Sequence, residues 1–124
     1  MPTSTPSNLG DFYAGMRHLH WSPAEKAVAR KAFESALKRE FEALITETKQ
    51  RAAAITQSDD LWELEDHLTQ RRIEIDRIYD YRYSVLPDVF GYLVREGRLK
   101  TEELNGLAEE KLAYIRRYSR HVAV

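Results

Sequence analysis

The sequence predicts an all-α protein, and three features carry that prediction. No Pro or Gly occurs from Ala24 to Leu86, so half of the chain lacks the residues that interrupt helices most strongly. Ala, Glu, Lys, Leu and Arg dominate the same span. Its apolar residues recur at steps of three and four, the spacing that places side chains on one face of a helix.

The first long helix is expected from Ser22 to about Ile55. The segment SPAE at Ser22–Glu25 puts Ser at the N-cap, Pro at the first helical position and Glu at the third, which is the pattern of a capping box. Charged residues fall opposite the apolar face and can remain in water. The residues of that apolar face are Val28, Phe33, Leu37, Phe41, Leu44, Ile45 and Ala52.

The second long helix is expected to begin with Ser58 as its cap, ahead of two Asp residues that favour the positive end of the helix dipole. We expect it to break near Leu86, because Pro87 disfavours helical geometry in the residue before it. The leucines at heptad-like steps in this helix form its apolar seam. They are Leu61, Leu64 and Leu68.

Two shorter helices are expected in the C-terminal part of the chain. The segment DVFGYLVREG, residues 88–97, reads as a short helix with Gly97 as its C-cap. The segment from Lys100 to Arg120 reads as the last helix, capped by Thr101.

The predicted first helix is too long for a compact globule of 124 residues. At ~1.5 Å per residue it spans about 50 Å, whereas a compact chain of this size is about 35 Å across. Two antiparallel helices cannot cover each other's apolar faces alone, and such seams commonly pack against a second copy. We therefore expect an elongated homodimer, in which two long antiparallel helices form a dimeric stalk and the C-terminal helices form a small head.

Composition limits the classes of function. The net charge of -1, from 19 Lys and Arg against 20 Asp and Glu, argues against a general nucleic-acid binder. The absence of Cys excludes disulfides and thiolate metal sites. No apolar run approaches the ~20 residues that cross a bilayer, and the N-terminus lacks the pattern of a signal peptide. We expect a cytoplasmic protein without membrane insertion, with a flexible tail over residues 1–20 and a single helical domain over residues 21–124.

Residues with catalytic or metal chemistry are sparse. His18 and His20 are one residue apart, but no third metal ligand is at hand. Glu63 and His67, four apart on one helix, are expected to form a surface pair. The segment Arg71–Leu86 weakly resembles helices of the chorismate mutase type, which leaves a small all-α enzyme as a remote alternative. We expect no enzymatic activity, no cofactor and no metal.

The most distinctive segment is SDDLWELEDHLTQRRIEID, Ser58–Asp76, in which a Trp lies among acids. Asp66 is four residues after Trp62 and shares its helix face, and Arg72 follows Trp62 by nearly three turns. A Trp, an acid and an Arg along one stripe suit two interpretations. One is a dimer seam with a buried Trp, and the other is a binding surface beside that seam.

These residues resemble the fluorescence recovery protein family. The resemblance covers nearly the whole chain from Trp21 onward and is strongest in Ile55–Val85, in the motifs DDLW, EID and Y-D-x-R-x-S, together with the acid and the arginine between them. It implies a small all-helical dimer whose partner is the photoactivated, red form of the orange carotenoid protein. By position, it assigns partner binding to Trp62, Asp66 and Arg72.

The resemblance also implies a function without a cofactor. Binding accelerates return of the partner to its orange form and its release from the phycobilisome, which ends photoprotective quenching. Three positions depart from the family pattern, namely Glu65, Asp88 and Tyr114. Further contacts are expected in the head, at Asp88, Phe90 and Tyr114. The departures leave one alternative, a homologous helical dimer with another protein partner in an organism without orange carotenoid protein.

Overall fold

The computed structural model describes residues 19–121, and over that range the chain forms four α-helices and one 3-10 turn. The all-α prediction is confirmed. The predicted tail, residues 1–20, lies outside the described residues apart from its last two positions. The helices are α1 (Pro23–Ala53), α2 (Ser58–Ile78), α3 (Leu86–Arg95) and α4 (Glu109–His121), and the 3-10 turn is Thr101–Leu104.

Helix α1 begins as its sequence predicts. The Ser22 hydroxyl accepts the backbone N–H of Glu25 at 3.1 Å, and the Glu25 carboxylate accepts the N–H of Ser22 at 3.0 Å. This reciprocal pair is the capping box, with Pro23 in the first turn. The helix ends at Ala53, two residues before the predicted end.

Helix α2 differs from its prediction at both ends. Gln57, and not Ser58, occupies the N-cap position and makes no capping bond with its side chain. The carboxylate of Asp60 instead accepts the backbone N–H of Thr56 at 3.0 Å. The helix ends at Ile78, well before the break predicted at Leu86.

Three tyrosines explain why α2 ends early. The rings of Tyr79 and Tyr81 each meet Phe33 of α1 edge to face, with centroids 5.5 and 4.8 Å apart, and Tyr83 lies 5.2 Å from Trp21. Alternate residues cannot share one helix face. The chain therefore leaves helical geometry so that all three rings can pack toward α1.

Helix α3 confirms the predicted short helix and its C-cap. Gly97 has a positive φ of 79°, its N–H bonds to Val94 O at 3.1 Å, and the next N–H, that of Arg98, bonds to Leu93 O at 2.9 Å. These two bonds are the Schellman motif. Pro87 lies in the first turn, where a missing N–H costs no helical bond.

The single helix predicted from Lys100 to Arg120 is wrong in its first half. Thr101 begins a 3-10 turn, and the chain then bends through Gly106, whose φ is 113°, before α4 starts at Glu109. Both Leu104 and Leu107, which lie on either side of the bend, are in the core. Gly is among the residues least favourable in a helix, so the bend falls at the weakest point of the segment.

The core lies between the first half of α1 and the C-terminal helices, which together form the head. Small residues Ala29, Ala32 and Ala36 bring α1 close to Phe90 and Ile115. By contrast, no residue from 41 to 74 is buried. This two-helix arm, residues 41–74, is the stalk, and it has no core of its own.

Candidate partner-binding surface

Two contacts between ionisable side chains mark the line along which α1 and α2 face each other. Arg71 Nη2 lies 2.5 Å from Glu40 Oε2, and His67 Nε2 lies 3.3 Å from Glu47 Oε2. The predicted pairing of His67 with Glu63 is corrected, since the imidazole faces α1 instead. Because both pairs lie between the helices, they give a reference direction for the other side chains of the stalk.

One side of the stalk carries an apolar face formed by Phe41, Ile45, Leu61 and Leu68, which are 45%, 53%, 47% and 36% exposed. At about 100° per residue, each is rotated by roughly 100–140° from the line between the helices. In an antiparallel pair, equal rotations bring side chains to the same side. Leu64, also assigned to the seam, is half-buried. Exposed apolar side chains grouped on one side of a molecule are common at protein interfaces.

A second set of side chains, the outer stripe, follows α2 on the surface that faces away from α1. It consists of Trp62, Asp66, Thr69 and Ile73, spaced by four, three and four residues. Trp62 and Ile73 are 59% and 54% exposed, and eleven residues bring them within about 20° of each other around the helix. The outer stripe is rotated by roughly 100° from the apolar face, so the two surfaces are distinct.

Trp62 and Asp66 share one face of α2, whereas Arg72 lies apart from them. Ten residues leave Arg72 rotated by about 80° from Trp62, so the single stripe expected from the sequence is corrected. Arg72 follows Leu68 by one turn and lies at the edge of the apolar face, between that face and the outer stripe. All three side chains predicted to bind a partner are exposed.

A buried carboxylate, Glu40, joins the stalk to the head. It accepts hydrogen bonds from Arg71 at 2.5 Å, Tyr79 at 2.8 Å and Arg98 at 3.0 Å. Burial alone would raise the pKa of Glu40, but these three donors outweigh it and hold the pKa below its ordinary value. Burial, followed by the charge of Glu40, raises the pKa of Tyr79. The cluster lines a cavity of about 260 Å³.

Sequence reasoning missed the role of Glu40, although a signal was available. Glu40 follows Ala32 and Ala36 at steps of four, so an acid lies in register with the buried stripe of α1. Arg71 lies in register with the seam of α2 in the same way. An acid and a base in register with the apolar stripes of two antiparallel helices, at matching positions along them, predict an ion pair.

The predicted head contacts are corrected for two of three residues. Phe90 and Tyr114 are 0% and 1% exposed, so their side chains offer a partner no surface and instead form part of the head. The hydroxyl of Tyr114 donates a hydrogen bond to the half-buried Asp88. Asp88 alone among the three reaches solvent.

Lys111 is a second residue whose role the sequence did not reveal. It is 2% exposed, and its ammonium donates to Glu25 at 3.0 Å and to the backbone carbonyl of His20 at 2.6 Å. The same group lies 4.8 Å from the centre of the Trp21 ring. These contacts tie the start of α1 to α4.

Residues 19–121 contain no group of three or more His, Cys, Asp or Glu side chains that could hold a metal ion. None of the helices in the described part of the chain is long and apolar enough to span a membrane.

Comparison with known proteins gives one consistent family. A model described as photoprotection regulator fluorescence recovery protein matches residues 21–119. The fluorescence recovery protein of Synechocystis sp. is 43% identical over 100 residues, which cover 81% of this chain and 92% of that protein. The solved fluorescence recovery protein of Fremyella diplosiphon superposes with a TM-score of 0.79 at 44% identity, covering 82% of this chain and 99% of that one. The Synechocystis sp. PCC 6803 structure has the same TM-score at 42% identity.

Proposed function

The chain belongs to the fluorescence recovery protein family of photoprotection regulators, and from this membership we propose that it binds the photoactivated, red form of orange carotenoid protein. Binding accelerates return to the orange form and release from the phycobilisome, which ends quenching. The observation that carries the proposal is the family match over residues 21–119, supported by 43% identity to a curated relative.

The regulator works without covalent chemistry. A protein that only binds can accelerate a conformational return if it binds the structure at the barrier better than the starting form. Equal affinity for every form would leave the rate unchanged. The family is described as a photoprotection regulator, which is a regulatory role and not a catalytic one. On that ground we assign the chain no enzymatic activity, and we expect it in the cytoplasm beside its partner.

The working form is a homodimer. The stalk has no buried residue from 41 to 74, so its two helices alone bury little apolar surface. The apolar face, Phe41, Ile45, Leu61 and Leu68, supports a second copy as the missing cover, because a symmetric contact pairs the same patch of each subunit. Leu64 extends this contact toward the interior.

Partner binding is assigned to Trp62, Asp66 and Arg72, with Asp88 as a contact of the head. Trp and Arg are enriched among the residues that dominate binding energy. The position of Arg72 at the edge of the apolar face supports a role at the boundary between the proposed dimer contact and the proposed partner contact. The alternative remains a homologous dimer with another protein partner, and Glu65 and Asp88, which depart from the family pattern, favour it.

The test is a comparison of affinity for the two forms of the partner. Purified orange carotenoid protein is held in darkness or under blue light and titrated with this protein, and complex formation is followed by size-exclusion chromatography. We expect binding to the red form to be at least tenfold tighter than to the orange form. Equal binding to both forms, or binding to neither, would favour another partner.

A further inference from the structure

The outer stripe contains an apolar residue that neither the dimer nor the proposed contact residues account for, Ile73. It is 54% exposed, almost as much as Trp62. Its side of α2 faces away from α1 and is rotated by roughly 100° from the apolar face. An exposed Ile aligned with an exposed Trp on one helix face forms an unpartnered surface.

The geometry of the outer stripe matches a helical partner element. The steps of four, three and four residues from Trp62 through Asp66 and Thr69 to Ile73 equal the spacing by which helices pack side by side. The two apolar ends are about 16 Å apart along the axis at 1.5 Å per residue. A polar pair, Asp66 and Thr69, separates them.

The charge around the Trp62 end of the outer stripe is acidic, whereas Arg72 and Arg77 flank its Ile73 end. Residues 58–70 contain no Lys or Arg, and five carboxylates lie among them, that of Asp66 included. Such a surface attracts cations and repels acidic segments, mainly at low ionic strength. The carboxylates are Asp59, Asp60, Glu63, Glu65 and Asp66.

We propose that the outer stripe, Trp62, Asp66, Thr69 and Ile73, is the docking site for a basic amphipathic helix of the partner protein. Two apolar side chains of that helix contact Trp62 and Ile73, and a Lys or Arg between them pairs with Asp66. Helix-on-helix recognition of this kind uses anchors at the same spacing. This inference rests on the proposed function in one respect, because it assumes that the partner of this surface is a protein.

The first experiment uses a peptide, so that it does not depend on orange carotenoid protein. The probe is a Trp-free peptide of about 18 residues, long enough to span both anchors, with Leu and Lys in an amphipathic helical pattern. The control peptide carries Glu in place of Lys. Trp62 reports binding by its fluorescence, since Trp21 is already buried at 6% exposure.

The expected result is a blue shift of Trp emission that saturates with the Lys peptide and is absent with the Glu peptide. Ile73→Ala should weaken binding about tenfold, while Gln50→Ala, an exposed change on α1 away from the stripe, should leave it unchanged. Asp66→Asn should reduce both the affinity and its dependence on salt. Equal affinity of Ile73→Ala and Gln50→Ala would overturn the proposal.

Two further measurements, the mass of the dimer and the rate of recovery of orange carotenoid protein, separate this inference from the proposed function. If Ile73→Ala lowers the mass of the dimer in light scattering, a second copy covers the stripe and the docking site is refuted. If the Lys peptide binds as described but the wild-type protein does not accelerate recovery of orange carotenoid protein, the proposed function fails and the docking site stands. If recovery is accelerated equally by wild type and Ile73→Ala, only the docking site fails.

Discussion

Arg71 and Arg72 are adjacent in the chain but lie in opposite environments. Arg71 reaches across to α1 and donates a 2.5 Å hydrogen bond to Glu40, while also pairing with Glu74 at 2.8 Å. Arg72 is exposed at the edge of the apolar face. One arginine therefore supports the fold, and the other is free to meet a partner.

This contrast predicts opposite effects for two matched substitutions. Arg71→Leu should lower the free energy of unfolding by about 1–3 kcal/mol, because it removes a donor from the buried carboxylate of Glu40. Arg72→Leu should change it by less than about 0.5 kcal/mol, as expected for an exposed side chain. Urea unfolding followed by circular dichroism measures both. Equal destabilisation by the two variants would contradict the assignment.

Leu61→Glu should convert the dimer to monomers. The substitution places a charge within the apolar face. A symmetric contact would then bury two such charges, one from each copy. Light scattering coupled to size exclusion measures the mass. Gln70→Glu introduces the same charge on the same helix away from the apolar face and should remain dimeric, so an unchanged mass for Leu61→Glu would refute the placement of the contact.

The contact between Glu25 and Lys111 predicts a loss of stability in acid. Burial alone would raise the pKa of Glu25, but the backbone N–H groups of Ser22 and Ala108 and the Lys111 ammonium lower it from 4.5 to about 2. A lowered pKa in the folded state gives stability that is complete above pH 4.5 and is lost as the pH falls toward 2. The loss should be about 3 kcal/mol.

The measurement is the free energy of unfolding at several pH values between 2 and 6 for wild type and Glu25→Gln. The variant should be less stable above pH 5 and should show a smaller dependence on pH below it. Parallel curves for the two proteins would show that Glu25 does not carry the acid sensitivity.

Two glycines with positive φ provide a test of the bend before α4. A Cβ on Gly106 would lie 2.8 Å from Val28 Cγ2, whereas a Cβ on Gly97 would meet nothing within 4 Å. Gly97→Ala should therefore cost only the backbone strain, about 1 kcal/mol. Gly106→Ala should cost about 2–4 kcal/mol, since the clash with Val28 adds to the strain. Thermal unfolding of the two variants compares them, and equal costs would argue against close packing at the bend.

The sequence predicted the parts of the fold that depend on local signals. The capping box at Ser22 and the C-cap at Gly97 are set by a few neighbouring residues, and both were placed correctly. The end of α2 was not, because it depends on distant packing, in which Tyr79 leaves the helix to reach Phe33. The break before α4 coincides with a local turn signal, Asn105-Gly106, which the prediction of one continuous helix overlooked.

The candidate site was predictable in composition but not in arrangement. The exposure of Trp62 and Asp66 follows from a helix that lacks a core beneath it. The rotation of Arg72 by about 80° from Trp62 follows from their spacing of ten residues, but which of the two faces away from α1 needed the direction that the Glu40 and Arg71 pair supplies. The burial of Phe90 and Tyr114 could not be derived from sequence, because both belong to a head whose helices meet only in the folded chain.

The most direct test of the account is the rate at which orange carotenoid protein recovers in darkness. The purified partner is converted to its red form by blue light, the light is switched off, and the return of the orange absorption spectrum is followed with and without this protein. We expect strong acceleration at substoichiometric amounts, and little or none with Arg72→Leu at equal helix content. An unchanged recovery rate in the presence of an intact dimer would contradict the account.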